Sequence, residues 1–195
     1  NKKIPFSVDD NVDHPISLYA ATKKSNELMA YTYSHLYDLP VTGLRFFTVY
    51  GPWGRPDMAI YLFTKAIAED RSINVFNHGN MSRDFTYIDD IINGIEIALK
   101  NVPKIIQEKP AYSIYNIGNG SPQSLGDFVK AIEMNMKKDA VKNYLPMQPG
   151  DVQHTFADIT DLEKLGYKRK INIDIGVKKF VIWYQNYHRV KTLIK

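Results

Sequence analysis

Residues Arg45-Phe46-Phe47-Thr48-Val49-Tyr50-Gly51-Pro52 form a β-rich run that breaks at a Gly-Pro turn. Aromatic and β-branched residues suit a pleated, buried surface, and proline cannot continue a central strand. Val41 to Val49 therefore reads as a buried strand, and residues 51–56 as the loop that follows it. Upstream, Ser17 to Tyr37 reads as a helix, with Ser17 or Asp13 as its cap and Leu39-Pro40 as its stop. Inside that helix, Tyr19-Ala20-Ala21-Thr22-Lys23 sets a phenol and an ammonium one turn apart on one face. An adjacent ammonium favours phenolate, which fits the phenol for exchanging a proton with a hydroxyl near neutral pH. Leu18, Ala21, Leu28 and Leu36 lie on the other side for packing. Tyr-x-x-x-Lys also occurs at Tyr61/Lys65 and Tyr187/Lys191, but only the first match is followed by a strand and loop that could complete a site.

Outward from this centre, helices and short strands alternate. Met58 to Glu69 has helical apolar spacing through Ile60, Phe63, Ala66 and Ile67. Ile73 to Phe76 reads as a short strand before a turn at residues 77–80. Phe85 to Ile88 is extended and leads into a helix that Asp89 or Asp90 would cap. Ser113 to Ile117 is a further strand. Ser124 with Asp127 predicts a capping box for a helix through Met136. Thr160 with Glu163 opens a short helix that Gly166 ends, and a last helix spans about 175–189. This order predicts an α/β fold. Only about two long strands appear, and no Gly-x-Gly-x-x-Gly run occurs anywhere. The phosphate-cradling turn of a dinucleotide fold is therefore not expected here.

Composition narrows the function classes. With 44% hydrophobic and 24% charged residues, the 195-residue chain can bury a core and is ordinary for a globular protein. Cysteine is absent, which excludes disulfides and thiolate chemistry and fits a reducing compartment such as the cytoplasm. No apolar run reaches bilayer length, so no membrane role is expected. The net charge of +4 is scattered among acids rather than gathered on one face, which argues against nucleic acid. A small anionic ligand held by a few arginines suits the same balance. The histidines His14, His35, His78, His154 and His188 show no metal-ligand spacing, and no metal is expected.

Five motifs in order carry a resemblance. They are Tyr19 to Lys23, Arg45 to Pro52, Arg83-Asp84-Phe85-Thr86-Tyr87-Ile88-Asp89-Asp90, Tyr115-Asn116-Ile117-Gly118-Asn119 and Gln148-Pro149-Gly150-Asp151-Val152. Together they resemble the extended short-chain dehydrogenase/reductases that act on nucleotide sugars, over nearly the whole chain. Trp53-Gly54-Arg55-Pro56-Asp57-Met58-Ala59 and Thr48 make it most similar to the UDP-glucuronate 4-epimerases. The resemblance implies the C-terminal part of a Rossmann-like doubly wound sheet (residues 1–50 and 89–118) plus a small α/β substrate-binding domain (51–88 and 119–195), without the N-terminal nucleotide-binding half. It implies NAD as cofactor, a UDP-sugar as substrate, a homodimer in which the Tyr19 helix takes part, and a setting in surface polysaccharide synthesis.

The same resemblance assigns roles. Tyr19 would be base and then acid at the sugar 4-hydroxyl, and Lys23 would bind the nicotinamide ribose and tune Tyr19. Phe46 and Val49 would lie on the cofactor side. Thr48 and Arg55 would face the sugar, with Arg55 on a C5 carboxylate. Arg83 would hold the diphosphate, Val75 and Phe76 would line the uracil pocket, and Gln148 and Asp151 would lie near the uridine. The implied reaction is transient oxidation at C4 with return of hydride to the opposite face. A 4,6-dehydratase or uronate decarboxylase on the same scaffold stays open, as does a non-catalytic chain that only binds or associates. Without an upstream half, the chain is expected not to retain NAD and to be inactive alone.

Overall fold

A computed structural model describes residues 3–106 and 109–189. The elements run α1 (Leu18–Tyr37), β1 (Val41–Phe46), β2 (Thr48–Tyr50), α2 (Ala59–Ala68), β3 (Ile73–Val75), a 3-10 turn (Phe76–Gly79), β4 (Ser82–Arg83), β5 (Phe85–Tyr87), α3 (Ile88–Lys100), β6 (Tyr112–Ile117), β7 (Gln123–Ser124), α4 (Leu125–Met136), β8 (Lys142–Tyr144), α5 (Thr160–Lys164) and α6 (Ile173–His188). Ser17 caps α1 by accepting from Ala20 N at 3.1 Å, and Asp38 ends it in a left-handed turn. Ser124 accepts from Asp127 N at 2.9 Å and donates to its carboxylate at 2.7 Å, so the capping box is present.

The strand expected over residues 41–49 is two strands, not one. β1 runs parallel to β6 in register from Val41↔Tyr112 to Phe46↔Ile117. Phe47 N still donates to Ile117 O at 3.1 Å, but Thr48 N donates to Asp84 O at 3.1 Å. The chain changes partner there, and β2 then pairs in parallel with β5. β1 is also only half-buried, against the expectation of a buried strand.

Three amphipathic helices enclose the larger core. α4 supplies Leu125, Phe128, Val129 and Ile132, while α6 supplies Val177, Phe180, Val181 and Tyr184, both at the i, i+3, i+4, i+7 spacing of one helical face. α2 adds Ile60, Phe63 and Ile67. At the centre, Phe85 and Phe128 stack with ring centroids 3.9 Å apart, and Tyr50 meets both edge-on. A second cluster joins Ile91, Ile117, Ala157, Ile159, Leu162 and Tyr167.

Two further expectations are corrected. Asp89 and Asp90 do not cap α3, since Tyr87 occupies the cap position without a side-chain bond. The buried Asp90 carboxylate instead accepts from Lys170 N and Ile171 N, at 3.1 and 3.0 Å. Those amides lie on a neighbouring segment 80 residues away, where they have no helix to satisfy them. α1 does not pack through Leu18, Leu28 and Leu36, which are 83%, 58% and 62% exposed. It is held to β1 by a charged fork and to β6 by an aromatic pair. Arg45 forks onto both Glu27 carboxylate oxygens at 2.6 and 2.8 Å, and Tyr31 sits edge-on to Tyr112 at 5.3 Å. No helix among the described residues is long and apolar enough to cross a membrane.

Candidate active site

The site grows from the partner change at Phe47/Thr48. The backbone carbonyl of Asp84 takes the Thr48 amide, and the Asp84 amide donates to Thr155 Oγ1 at 3.0 Å. The Asp84 side chain is fully buried, and its carboxylate accepts from Asn119 N at 2.6 Å, Gly120 N at 2.9 Å and Ala157 N at 3.0 Å. Converging amides neutralise a buried carboxylate as counter-charges would, and charge-assisted bonds of this kind contribute about 1.5–3 kcal/mol each. The close approach requires glycine at 118. A Cβ there would lie 3.2 Å from both Asp84 oxygens and 2.4 Å from Ala157 Cβ. One residue thus binds β2, the 118–120 loop and the 155–157 segment together.

Arg83 is the next residue. Its Nη2 donates to Asp151 Oδ1 at 2.8 Å, and its Nη1 to the carbonyls of Ser82 and Gln153 at 3.0 Å. Burial pulls the guanidinium below its ordinary pKa, and Asp151 acts in the opposite sense. Asp151 belongs to a turn closed by its own amide on Gln148 O at 3.2 Å. The strand before that turn is stitched to β3: Leu145 N donates to Val75 O, and His78 N to Leu145 O, both at 3.0 Å. A strip therefore leads from Val75 through residues 145–148 to Asp151 and Arg83, held partly by hydrogen bonds and partly by the chain itself, and Thr48 joins it through Asp84. Val75 is buried in the core, and it also borders a hollow of about 740 Å³ with His78, Gly79 and Tyr144.

Tyr19 and Lys23 stand apart from this strip. The Lys23 ammonium lies 5.3 Å from the centroid of the Tyr19 ring, so the face shared at one helical turn is real. Among the described residues, neither the phenol nor the ammonium has a hydrogen-bond or ion-pair partner. Their level is fixed by packing. Tyr31 meets Tyr112 opposite Val41, and Glu27 meets Arg45, so α1 runs antiparallel to β1. Tyr19 lies eight residues before Glu27, about 12 Å further along the axis. It overhangs the carboxyl end of β1, the side on which open α/β sheets bind ligands.

Phe46 is exposed and Val49 half-buried against the second cluster at this same end. Arg55 is on the 51–57 loop, 74% exposed at its side chain, and forks onto Asp57 at 3.1 and 2.9 Å. Among the described residues, no hydrogen bond or ion pair joins Arg55 to Arg83 or to Tyr19. Of the other Tyr-x-x-x-Lys matches, Tyr61 is bonded to His188 at 2.9 Å, and Lys191 lies outside the described residues.

An exposed hydroxyl and ammonium side by side fit the nicotinamide–ribose end of a dinucleotide. The diphosphate of that ligand finds no glycine-rich turn in this sequence. Sequence reasoning did not single out the Asp84 junction. A carboxylate between the half-buried Arg83 and the buried Phe85, with glycines at 118 and 120 elsewhere in the chain, was the available signal.

Parallel strands, helical crossovers and a Tyr-x-x-x-Lys helix over a strand's carboxyl end define a Rossmann-like α/β protein. The chain belongs to the NAD dependent epimerase/dehydratase family, whose profile matches residues 1–118. It is 55% identical over 201 residues to Protein CapI of Staphylococcus aureus, covering 97% of this chain and 60% of that protein. It is 47% identical to a probable UDP-glucuronate 4-epimerase of Rhizobium meliloti, covering 100% of this chain and 61% of that one. Among solved structures it superposes on UDP-glucuronic acid 4-epimerase of Bacillus cereus in complex with UDP-glucuronic acid and NAD. The TM-score is 0.85 at 32% identity, over 96% of this chain and 58% of that chain. The chain thus spans about 60% of the length of these relatives.

Proposed function

We propose that this chain carries the acid–base pair and the sugar-binding side of an NAD-dependent UDP-sugar 4-epimerase, acting on UDP-glucuronate to give UDP-galacturonate. The observation that carries the reading is the strip from Val75 to Arg83, joined through Asp84 to Thr48 at the strand end that Tyr19 overhangs. Arg83 is half-buried and, among the described residues, has a single carboxylate partner, an arrangement a diphosphate can enter by displacing Asp151. In this reading residues 1–50 and 89–118 form the Rossmann-like part, and 51–88 with 119–195 the sugar-binding part.

NAD, when bound, accepts and returns the hydride at C4. Tyr19 takes the O4 proton and gives it back, and Lys23 holds the ribose and favours the Tyr19 phenolate. Thr48 orients the sugar beside the strand end, with Phe46 and Val49 bordering the cofactor side. Val75, Phe76 and Gln148 hold the uridine end, and Asp151 lies beside it. Arg55 exchanges Asp57 for the C5 carboxylate. The apolar residues Leu18, Leu28, Met29 and Leu36 left exposed on α1 support self-association as a homodimer through that helix.

The test joins this chain to the glycine-rich N-terminal half of a family member. Tyr19→Phe is expected to abolish turnover while UDP binding persists, and unchanged turnover removes Tyr19 from the role. In calorimetry Arg55→Ala is expected to weaken UDP-glucuronate by about tenfold more than UDP-glucose. Equal losses show that Arg55 does not read the carboxylate.

A further inference from the structure

The two tryptophans of this chain touch each other. Trp53 lies on the loop after β2, with its ring centroid 5.3 Å from that of Trp183 and 5.1 Å from that of Tyr187. Trp183 and Tyr187 are four residues apart on α6 and stack on each other at 5.4 Å and 18°. The adjoining face of α6 is locked into the core through Val177, Phe180, Val181 and Tyr184, and Trp183 packs at the core's edge with its ring 5.4 Å from that of Phe180. The indole N–H of Trp183 is buried without an acceptor among the described residues, so its ring rather than its polar atom accounts for its place.

Trp53 has φ +63°, a left-handed conformation that a bulky residue adopts only where its surroundings hold it. The loop it anchors is stiff. Gly54 N closes on Gly51 O and Met58 N on Arg55 O, both at 3.2 Å, and Pro52 and Pro56 fix two φ angles. Two consecutive turns thus connect Trp53 rigidly to Arg55, whose own partners within the loop are Asp57 and Met58.

We infer that Trp183 and Tyr187 are positioning residues for sugar discrimination: they clamp Trp53 and so aim the guanidinium of Arg55. α6 acts through Trp53 and touches no reacting atom. The inference rests on the reading above that Arg55 faces the C5 carboxylate. Releasing the clamp lets the 51–57 loop swing, which disperses Arg55 over many positions. It leaves the Arg83 strip untouched, because that strip is built from other segments.

The test titrates this chain calorimetrically with UDP, UDP-glucose and UDP-glucuronate. Trp53→Ala and Tyr187→Ala are expected to lower the preference for UDP-glucuronate over UDP-glucose by about tenfold, with UDP affinity unchanged. Tyr187→Phe, which keeps the ring, is expected to retain the preference. Exciton-coupled circular dichroism of the tryptophan pair is expected to vanish in Trp53→Ala and to shrink in Tyr187→Ala, with the helical signal intact. Alanine variants that keep the wild-type preference overturn the clamp while the uronate reading stands. Loss of UDP affinity in the same variants shows a general structural role and also overturns it. A wild-type chain without any preference overturns both readings.

Discussion

Asp84 shows how much one side chain can organise when its charge is shared among backbone amides. Among the described residues it has no cationic partner, yet three amides from two segments converge on its carboxylate. Asparagine at this position keeps the shape but offers one acceptor oxygen and turns an N–H₂ toward backbone donors. Asp84→Asn is therefore expected to destabilise the fold by about 2–4 kcal/mol, read as a lower urea midpoint with unchanged slope. A loss under about 0.5 kcal/mol, typical of surface changes, contradicts the account. Sequence patterns revealed such residues unevenly. Ser124 and Asp127 were legible as a cap because both partners lie within one turn. Asp90 looked like a cap for the same local reason, but its real partners are 80 residues away. Arg83 and Asp151 were each visible in a motif, whereas their ion pair across 68 residues is a property of the fold alone.

At the scale of elements, α4 and α6 were readable because their apolar residues recur at helical spacing on a face that is buried. β8 was not, since Lys142, Asn143 and Tyr144 are all exposed and carry no alternation. α1 has readable periodicity, but its apolar residues face outward, and only Ser34 is buried. Its attachment is the Glu27–Arg45 fork and the Tyr31–Tyr112 pair, not a continuous apolar seam. Leu28→Glu with Leu36→Glu is accordingly expected to change unfolding free energy by no more than about 1 kcal/mol in the monomer. The same pair is expected to abolish self-association in sedimentation velocity. Persistent dimers in the double variant place the contact elsewhere.

For the whole molecule, buried tyrosines set an alkaline limit. Burial raises Tyr184 to about 12, with smaller contributions from neighbouring Tyr61 and Glu69. Tyr50 and Tyr167 are driven further in the same direction, again chiefly by burial. The unfolded chain ionises its phenols near pH ~10, while the folded one holds these three protonated. Their stabilisation is thus complete below pH ~10 and is lost as pH climbs toward the folded values. The urea midpoint is expected to stay level through neutrality and to fall above pH ~10, less steeply in Tyr184→Phe. A midpoint that does not move between about pH 9 and 11 contradicts this.

β1 and β6 pair only with each other among the described residues, and a hollow of about 530 Å³ runs beside Tyr112, Ser113, Ile114 and Tyr115. Among the described residues, each strand keeps a lateral row of amides and carbonyls that meets no strand neighbour. Such a border is a template: an extended segment from another polypeptide can add to it through main-chain bonds. Two pieces of one domain, made separately, could meet along that border and be scored by restored thermal resistance. In concentrated solutions of the chain alone, the same border is where slow β-type precipitation would begin.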